Sequence, residues 1–85
     1  MITQVCAVRD AKTEVFSQPL FFVTKGVAVR SFYDEARRAD SEIAKHREDF
    51  ALYHIATFDD QTGIFTNIPQ IVQIAHALDT KESEA

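Results

Sequence analysis

The residues that could do chemistry in this 85-residue chain are few, and the densest group stands in one short loop. Asp59, Asp60 and Thr62 precede Gly63 there, which could suggest a calcium site. A calcium loop of the EF-hand type needs acids at alternating positions and a closing bidentate glutamate, and this loop lacks both. The acids and the glycine predict a hairpin turn instead, with Gly63 in the left-handed conformation.

The chain has only three histidines and one cysteine, and they are far apart in sequence. His54 lies in an apolar run, His46 and His76 are distant from it in sequence, and Cys6 is the single cysteine. No zinc-site spacing results, and one cysteine cannot form a disulfide within the chain. The sequence also has no phosphate loop and no nucleophile elbow. We therefore expect no enzyme activity, no metal and no cofactor, with His54 packed or hydrogen-bonded in a sheet.

A basic segment suggests contact with an anion. Residues 25–47 hold six lysines and arginines against four acids, a local charge of +2 (6 minus 4) in a chain of net charge −4. Phe21, Phe22, Lys25 and Arg30 also interleave rings and cations, as single-strand nucleic-acid binders do. The alternatives are a solvated helix face with paired charges, and phenylalanines that face the core or an oligomer interface.

Four predicted elements come first along the chain. Residues 2–9 are rich in β-formers and predict a strand, and residues 14–23 predict a second extended stretch that Pro19 breaks or places on a sheet edge. Thr24 is a candidate N-cap for a helix over residues 25–38. That helix has one apolar stripe, formed by Val29, Phe32, Tyr33 and Ala36. A polar connection follows, with a helical turn expected around residues 41–45.

Residues 50–58 are apolar or aromatic at almost every position, which predicts a central strand or one that a partner subunit covers. Regular alternation puts one set of side chains on one face: Phe50, Leu52, His54, Ala56 and Phe58. The hairpin returns through residues 64–68. After Pro69 a short helix is expected, because apolar residues recur there at helical spacing, at Ile71, Ile74, Ala75 and Leu78.

These elements predict an α+β fold in the order β-β-α-β-β-α, with a small, mainly antiparallel sheet and one main helix packed on it. We expect a single domain over residues 1–78 and a frayed acidic tail over residues 79–85. No apolar run is long enough to span a bilayer, so no membrane partner is expected.

Three stretches of the chain resemble a known family. VRDAKTEVFSQPLFF, AVRSFYDE and HREDFALYHIATFDDQTGIF are similar, in this order, to the small nonstructural protein of gokushoviruses, single-stranded DNA phages of the Microviridae. The similarity covers residues 5–69. Arg47 stands where the family usually has proline, and Ala56 where glycine is frequent. Ala56 therefore suggests a regular strand without a bulge.

The resemblance implies a nonstructural role in the cytoplasm of the host bacterium, in single-stranded DNA replication or packaging. The implied protein binds single-stranded DNA or replication proteins. The residues that would contact DNA are Lys25, Arg30, Arg37, Arg38, Lys45 and Arg47, with Phe22 and Tyr33 as stacking partners.

Small size, many aromatic residues and the doubly apolar strand predict a homodimer. A competing hypothesis is an interaction module that binds a host or phage protein without touching DNA, which the acidic net charge favours. A third is a structural component of the virion.

Overall fold

A computed structural model describes residues 1–84, with the side chains of residues 1–80. The elements in chain order are strands β1 (Ile2–Asp10), β2 (Val15–Phe16) and β3 (Leu20–Phe22), helices α1 (Lys25–Arg37) and α2 (Glu42–Lys45), a 3-10 turn (Arg47–Asp49), strands β4 (Phe50–Asp59) and β5 (Ile64–His76), and a 3-10 helix (Ala77–Glu84). Every strand pair in this range is antiparallel. The α+β class, with one main helix, is confirmed.

The sheet has the order β2–β1–β4–β5, and β3 also pairs with β1. β2 and β3 come from one extended stretch that Pro19 interrupts, as predicted. They share the edge of β1 that β4 leaves free, β2 against Arg9 and Asp10 and β3 against residues 4–6. One edge of the sheet is therefore built from two short strands, and the other is the 13-residue β5.

Helix α1 begins where the sequence predicts. The Thr24 hydroxyl accepts a hydrogen bond from the Val27 N–H at 3.2 Å, which satisfies one of the free donors of the first turn. Ala28, Phe32 and Ala36 are buried against the sheet. Their partners in the core are residues of β1, β4 and β5, namely Cys6, Leu52 and Ala75.

Strand β4 contains a β-bulge, contrary to the regular strand predicted around Ala56. Cys6 pairs with His54, whereas the preceding residue Val5 pairs with Ala56, so Ile55 is an extra residue on β4. An extra residue shifts the two-residue alternation of a strand by one position. His54 therefore shares the helix-covered face with Cys6, while Ala56 shares the opposite face with Val5. The single face predicted for alternate residues of β4 is wrong beyond Ile55.

Strand β5 continues through Pro69 to His76, so the helix expected over residues 71–78 is wrong for residues 71–76. Asn67 pairs with Ala56 and Val72 pairs with His54, which leaves residues 68–71 opposite Ile55 alone. Pro69 lies in this irregular stretch. A proline, which cannot donate to the ladder, is tolerated at such a site.

The 3-10 helix Ala77–Glu84 contacts α1 through its first residues. The Tyr33 hydroxyl donates to the Asp79 carboxylate at 2.8 Å. The Thr80 side chain is fully buried, and its hydroxyl donates to the Ala77 carbonyl at 2.8 Å. The sequence predicts that the domain ends at residue 78, whereas Asp79 and Thr80 make the contacts just described. For residues beyond Thr80, the frayed tail stays a prediction.

Two five-residue turns are built alike. Asp10 opens the turn that ends at Glu14, and Asp59 opens the turn that ends at Gly63. In each, the aspartate carbonyl accepts the N–H of the last turn residue at 2.7 Å, and the carboxylate accepts an N–H two residues on at 2.9 Å. The last residue has positive φ in both, 64° at Glu14 and 76° at Gly63. The left-handed conformation predicted for Gly63 is confirmed.

Substitution at the two turn ends is expected to change stability in opposite directions. Gly63→Val should lower the free energy of unfolding by about 1–2 kcal/mol, since a β-branched residue resists positive φ. A Cβ at Gly63 would meet no heavy atom within 4 Å, so φ alone is responsible. Glu14→Gly should raise the free energy by about 0.5–1 kcal/mol, because it relieves the same strain. Urea titrations measure both, and changes of one sign would contradict the common turn geometry.

Candidate nucleic-acid interface

Two of the six predicted cationic contacts, Arg38 and Arg47, bind acids or backbone carbonyls within the protein. The Arg38 guanidinium forms ion pairs with Glu35 and with Asp40, the latter at 3.0 Å. Arg47 is half-buried, and its Nε donates to the Ala36 carbonyl at 3.3 Å near the end of α1. A phosphate would have to compete with these partners.

The other four predicted cations are exposed. The Arg37 guanidinium lies over the Tyr33 ring, 5.7 Å from its centroid. Among the described side chains, Lys25, Arg30 and Lys45 form no ion pair. Arg30 and Arg37 lie two turns apart on one side of α1, with Asp34 between them, so their positive charge is partly offset.

The two predicted stacking partners are not freely presented. Phe22 is half-buried and packs against the core. Tyr33 also packs against the core, with its hydroxyl bonded to Asp79 and its ring beneath Arg37. The hydrogen bond to Asp79 raises the pKa of Tyr33. The backbone N–H of His76 and the Tyr33 hydroxyl together lower the pKa of Asp79. These contacts give Tyr33 a structural role in holding the last helix.

A different surface presents aromatic rings. Thr3, Val5, Ala7 and Arg9 alternate along β1 with the residues that face α1, so they point to the uncovered side of the sheet. Each of the four has one aromatic cross-strand neighbour, and a fifth aromatic residue, on β5, lies opposite the one on β4 beside Thr3. We call this surface the open face; its five aromatic residues are Phe16, Phe21, Tyr53, Phe58 and Phe65.

The rings of the open face form two groups. Phe58 lies 4.8 Å from Phe65 and 5.4 Å from Phe21, measured between ring centroids. Phe16 and Tyr53 make a second, edge-to-face pair with centroids 5.5 Å apart. Phe21 and Phe65 keep 51% and 55% of their surface exposed. The open face therefore offers ring surface to a ligand without any rearrangement of the sheet.

Small side chains form the floor between the rings. Val5, Ala7, Ala51 and Ala56 are all buried there, although α1 lies on the other side of the sheet. Side chains this short let the larger rings of neighbouring strands stand above them. The first ring group lies beside Thr3 and Val5 and the second beside Ala7 and Arg9, so the step between them along β1 is that from Val5 to Ala7, about 7 Å at the usual rise of a strand. A ligand with repeated planar groups could contact both.

The charges beside the open face are mixed. The Arg9 guanidinium lies 5.9 Å from the Phe16 centroid. Asp59 and Asp60 follow Phe58 at the hairpin end. The α-amino group of Met1 donates to the Asp60 carboxylate at 2.7 Å, and this hydrogen bond raises the pKa of the amino group. One acid of the hairpin is therefore paired with a cation.

Sequence reasoning missed the open face because of the bulge at Ile55. Regular alternation placed Phe58 on the same face as Leu52, and the structure shows that the face of Leu52 is the helix-covered one. One signal was available: with Asp59 and Ile64 closing the hairpin, Phe58 and Phe65 must lie opposite each other. Two facing phenylalanines beside a short turn therefore predict a ring pair, but not which face it occupies.

The other chemical groups give weaker indications of a site. His46, Glu48 and Asp49 each bring one ligand atom within 4.8 Å of the others, but exposed groups of this kind are common without an ion. A cavity of about 280 Å³ lies between α1 and the sheet, and Cys6 is among its lining residues. Burial raises the pKa of the Cys6 thiol, which disfavours the reactive thiolate.

His54 is buried, as predicted, and its Nε2 has no hydrogen-bond partner among the described residues. Burial, and then the charge of Lys25, lower the pKa of His54.

Because the pKa of His54 is lowered in the folded protein, the unfolded chain binds more protons near the usual histidine pKa of about 6.5, so the free energy of unfolding should fall as pH drops through that value. His54→Leu should reduce this fall. Urea titrations at neutral and mildly acidic pH measure it, and equal falls in both proteins would exclude His54 as the cause.

No helix within residues 1–84 is both long enough and apolar enough to cross a bilayer. Searches of curated proteins and of solved structures gave no match to the chain. A sequence model of the family described as Phage ORF5 protein matches residues 3–80, which is most of the chain. The chain therefore belongs to the Phage ORF5 protein family.

Proposed function

We propose that this phage protein is a non-enzymatic, nonstructural protein that binds single-stranded DNA during genome replication or packaging. The observation that carries the proposal is the open face, with five aromatic rings on the side of the sheet that α1 leaves uncovered. The resemblance to gokushovirus proteins supports a single-stranded DNA genome and a role in the cytoplasm of the infected bacterium.

Stacking on the open face suits single strands because every base has a flat apolar surface. Aromatic side chains bind bases in this way with little sequence preference. A sheet with helices on one face and exposed rings on the other is also the arrangement by which RNA-recognition modules stack two or three bases. Bases in duplex DNA are already stacked on each other, so the proposal predicts a preference for single strands.

Cations supply the phosphate contacts in this proposal. Arg9 stands at the open face beside Phe16. The exposed cations of the helical layer, Lys25, Arg30 and Lys45, remain proposed contacts for DNA that continues around the molecule. Because few cations take part and the net charge is −4, the dependence of affinity on salt should be present but shallow.

Fluorescence anisotropy of a labelled single-stranded oligonucleotide tests the proposal. We expect binding at micromolar protein in low salt, weakening between about 50 and about 200 mM salt. The same sequence as a duplex is the control, and it should bind more weakly. The absence of an anisotropy change at low salt, with protein at high micromolar concentration, would overturn the proposal.

A second candidate function is a protein-interaction module that never touches DNA. The net charge of −4 favours it, as do Asp59 and Asp60 beside the largest ring group. Exposed aromatic rings with an acidic border also suit a basic protein partner. The anisotropy experiment separates the two functions, since the module should bind neither form of the oligonucleotide.

A further inference from the structure

The β5 edge of the sheet is long and carries no charge. Its 13 residues, Ile64–His76, include no aspartate, glutamate, lysine or arginine. Along the outer edge of such a strand, backbone N–H and C=O groups are available for pairing with another strand. Proteins that avoid this pairing usually place charged residues on the edge, and β5 has none.

The side chains of β5 are also exposed beside that edge. Ile64 and Phe65 keep 60% and 55% of their surface exposed, and Val72 keeps 51%. Residues 64–67 pair regularly with residues 56–59 of β4, and all four are exposed. Large apolar side chains on both faces of a regular edge strand are what a further strand would cover.

The opposite edge of the sheet is protected. β2 and β3 are short, with two and three residues, and Pro19 lies between them. Short strands and a proline are ordinary ways to prevent edge pairing. Within residues 1–84 the sheet therefore has one long edge, so pairing through it closes at two copies and does not continue into a fibre.

We propose that a second copy of this chain pairs with β5 in antiparallel fashion over residues 64–68, about a two-fold axis at Thr66. This segment ends before Pro69, and its first four residues, 64–67, lie in the regular part of the β4–β5 ladder. The occupant is a second copy because an uncharged strand can lie beside itself without repulsion, and residues 64–68 themselves carry no charge that would select an acidic or basic partner.

The size of the molecule is compatible with this dimer. A stable interface buries roughly 800 Å² on each partner, which is about one seventh of the 5564 Å² surface. Main-chain pairing of five residues contributes only part of that area. Ile64 and Phe65 project from opposite faces of the strand, so the side chains of both copies add to it.

The pairing deepens the proposed function, and this consequence rests on that function. Phe65 and Asn67 both point to the open face, since they lie opposite Phe58 and Ala56. With the axis at Thr66, Phe65 of each copy lies beside Asn67 of the other. The two open faces thus become one continuous surface. The group of three rings in one copy, Phe21, Phe58 and Phe65, then lies beside the same group in the other copy.

Analytical ultracentrifugation of the wild-type chain and of Thr66→Lys tests the pairing. The wild type should sediment as a dimer, at twice the 9.6 kDa chain mass. Thr66→Lys places two ammonium groups opposite each other at the axis, so it should shift the equilibrium strongly to monomer with an unchanged circular dichroism spectrum. Gln61→Lys, the same substituent in the hairpin loop, should remain dimeric.

A wild type that is monomeric at high micromolar concentration would overturn the inference, and so would a folded Thr66→Lys variant that dimerises like Gln61→Lys. These measurements contain no DNA, so they stand apart from the anisotropy experiment. A monomer that binds the oligonucleotide removes the dimer alone. A dimer that binds no oligonucleotide removes the DNA function alone.

Discussion

Phe32→Ala is expected to lower the free energy of unfolding by about 3–5 kcal/mol. Phe32 is 4% exposed and is the largest α1 side chain in the buried core. Its neighbours in the helix layer are Ala28 and Ala36, which are too small to move into the space that the ring leaves. A domain of this size has a total stability of roughly 4–13 kcal/mol. The variant should therefore be partly or fully unfolded at 37 °C, as measured by thermal and urea denaturation with circular dichroism.

Phe21→Ala is the matched control for the loss of a ring. It removes the same atoms from a side chain that is 51% exposed on the open face. We expect a loss of only about 1 kcal/mol, from reduced contact with Phe58 and Phe65. Equal destabilisation by the two substitutions would contradict the placement of the core between α1 and the sheet.

Phe65→Leu is expected to weaken binding of single-stranded DNA by about tenfold, since stacking on one aromatic side chain contributes about 1–3 kcal/mol. Leucine keeps the apolar character of the position but has no flat ring for a base. Because Phe65 is 55% exposed, the substitution should change the free energy of unfolding little. Fluorescence anisotropy gives the affinity, and circular dichroism establishes that the variant is folded.

Phe22→Leu tests whether DNA stacks on the open face or on Phe22, one of the two stacking partners that the sequence suggested. Phe22 is half-buried against the core on the helix-covered side, so its replacement should leave the DNA affinity close to that of the wild type. The reverse outcome, with loss of binding in Phe22→Leu and full binding in Phe65→Leu, would place the DNA on the helical side.

Local signals in the sequence were sufficient for much of the fold. Thr24 marks the start of α1, because its side chain satisfies a donor of the first turn with no help from distant residues. Gly63 marks the β4–β5 turn for an equally local reason, its positive φ. Pro19 breaks the extended stretch between β2 and β3. Each of these residues restricts its own backbone or that of a near neighbour.

Long-range pairing decided what the sequence did not reveal. Residues 71–76 have helical spacing, yet they are strand because β4 offers them a ladder as far as the pair of Ala51 and His76. The cations of residues 25–47 suggested a binding surface by their number. The acids that pair with Arg38 are only three and two residues away, so this pairing is local and matches the paired-charge alternative. The bond of Arg47 to the Ala36 carbonyl joins residues 11 apart and has no local signature in the sequence.

The bulge at Ile55 reverses the face to which the following side chains of β4 point, because it adds one residue to the two-residue alternation of the strand. Before it, even-numbered side chains of β4 are directed to the helix; after it, they are directed away, which is how Phe58 comes to the open face. A phage variant that lost one residue here would keep the hairpin and its turn but display the opposite set of side chains. Chain length at this one point, more than the identity of the residue, determines which surface the protein offers to its surroundings.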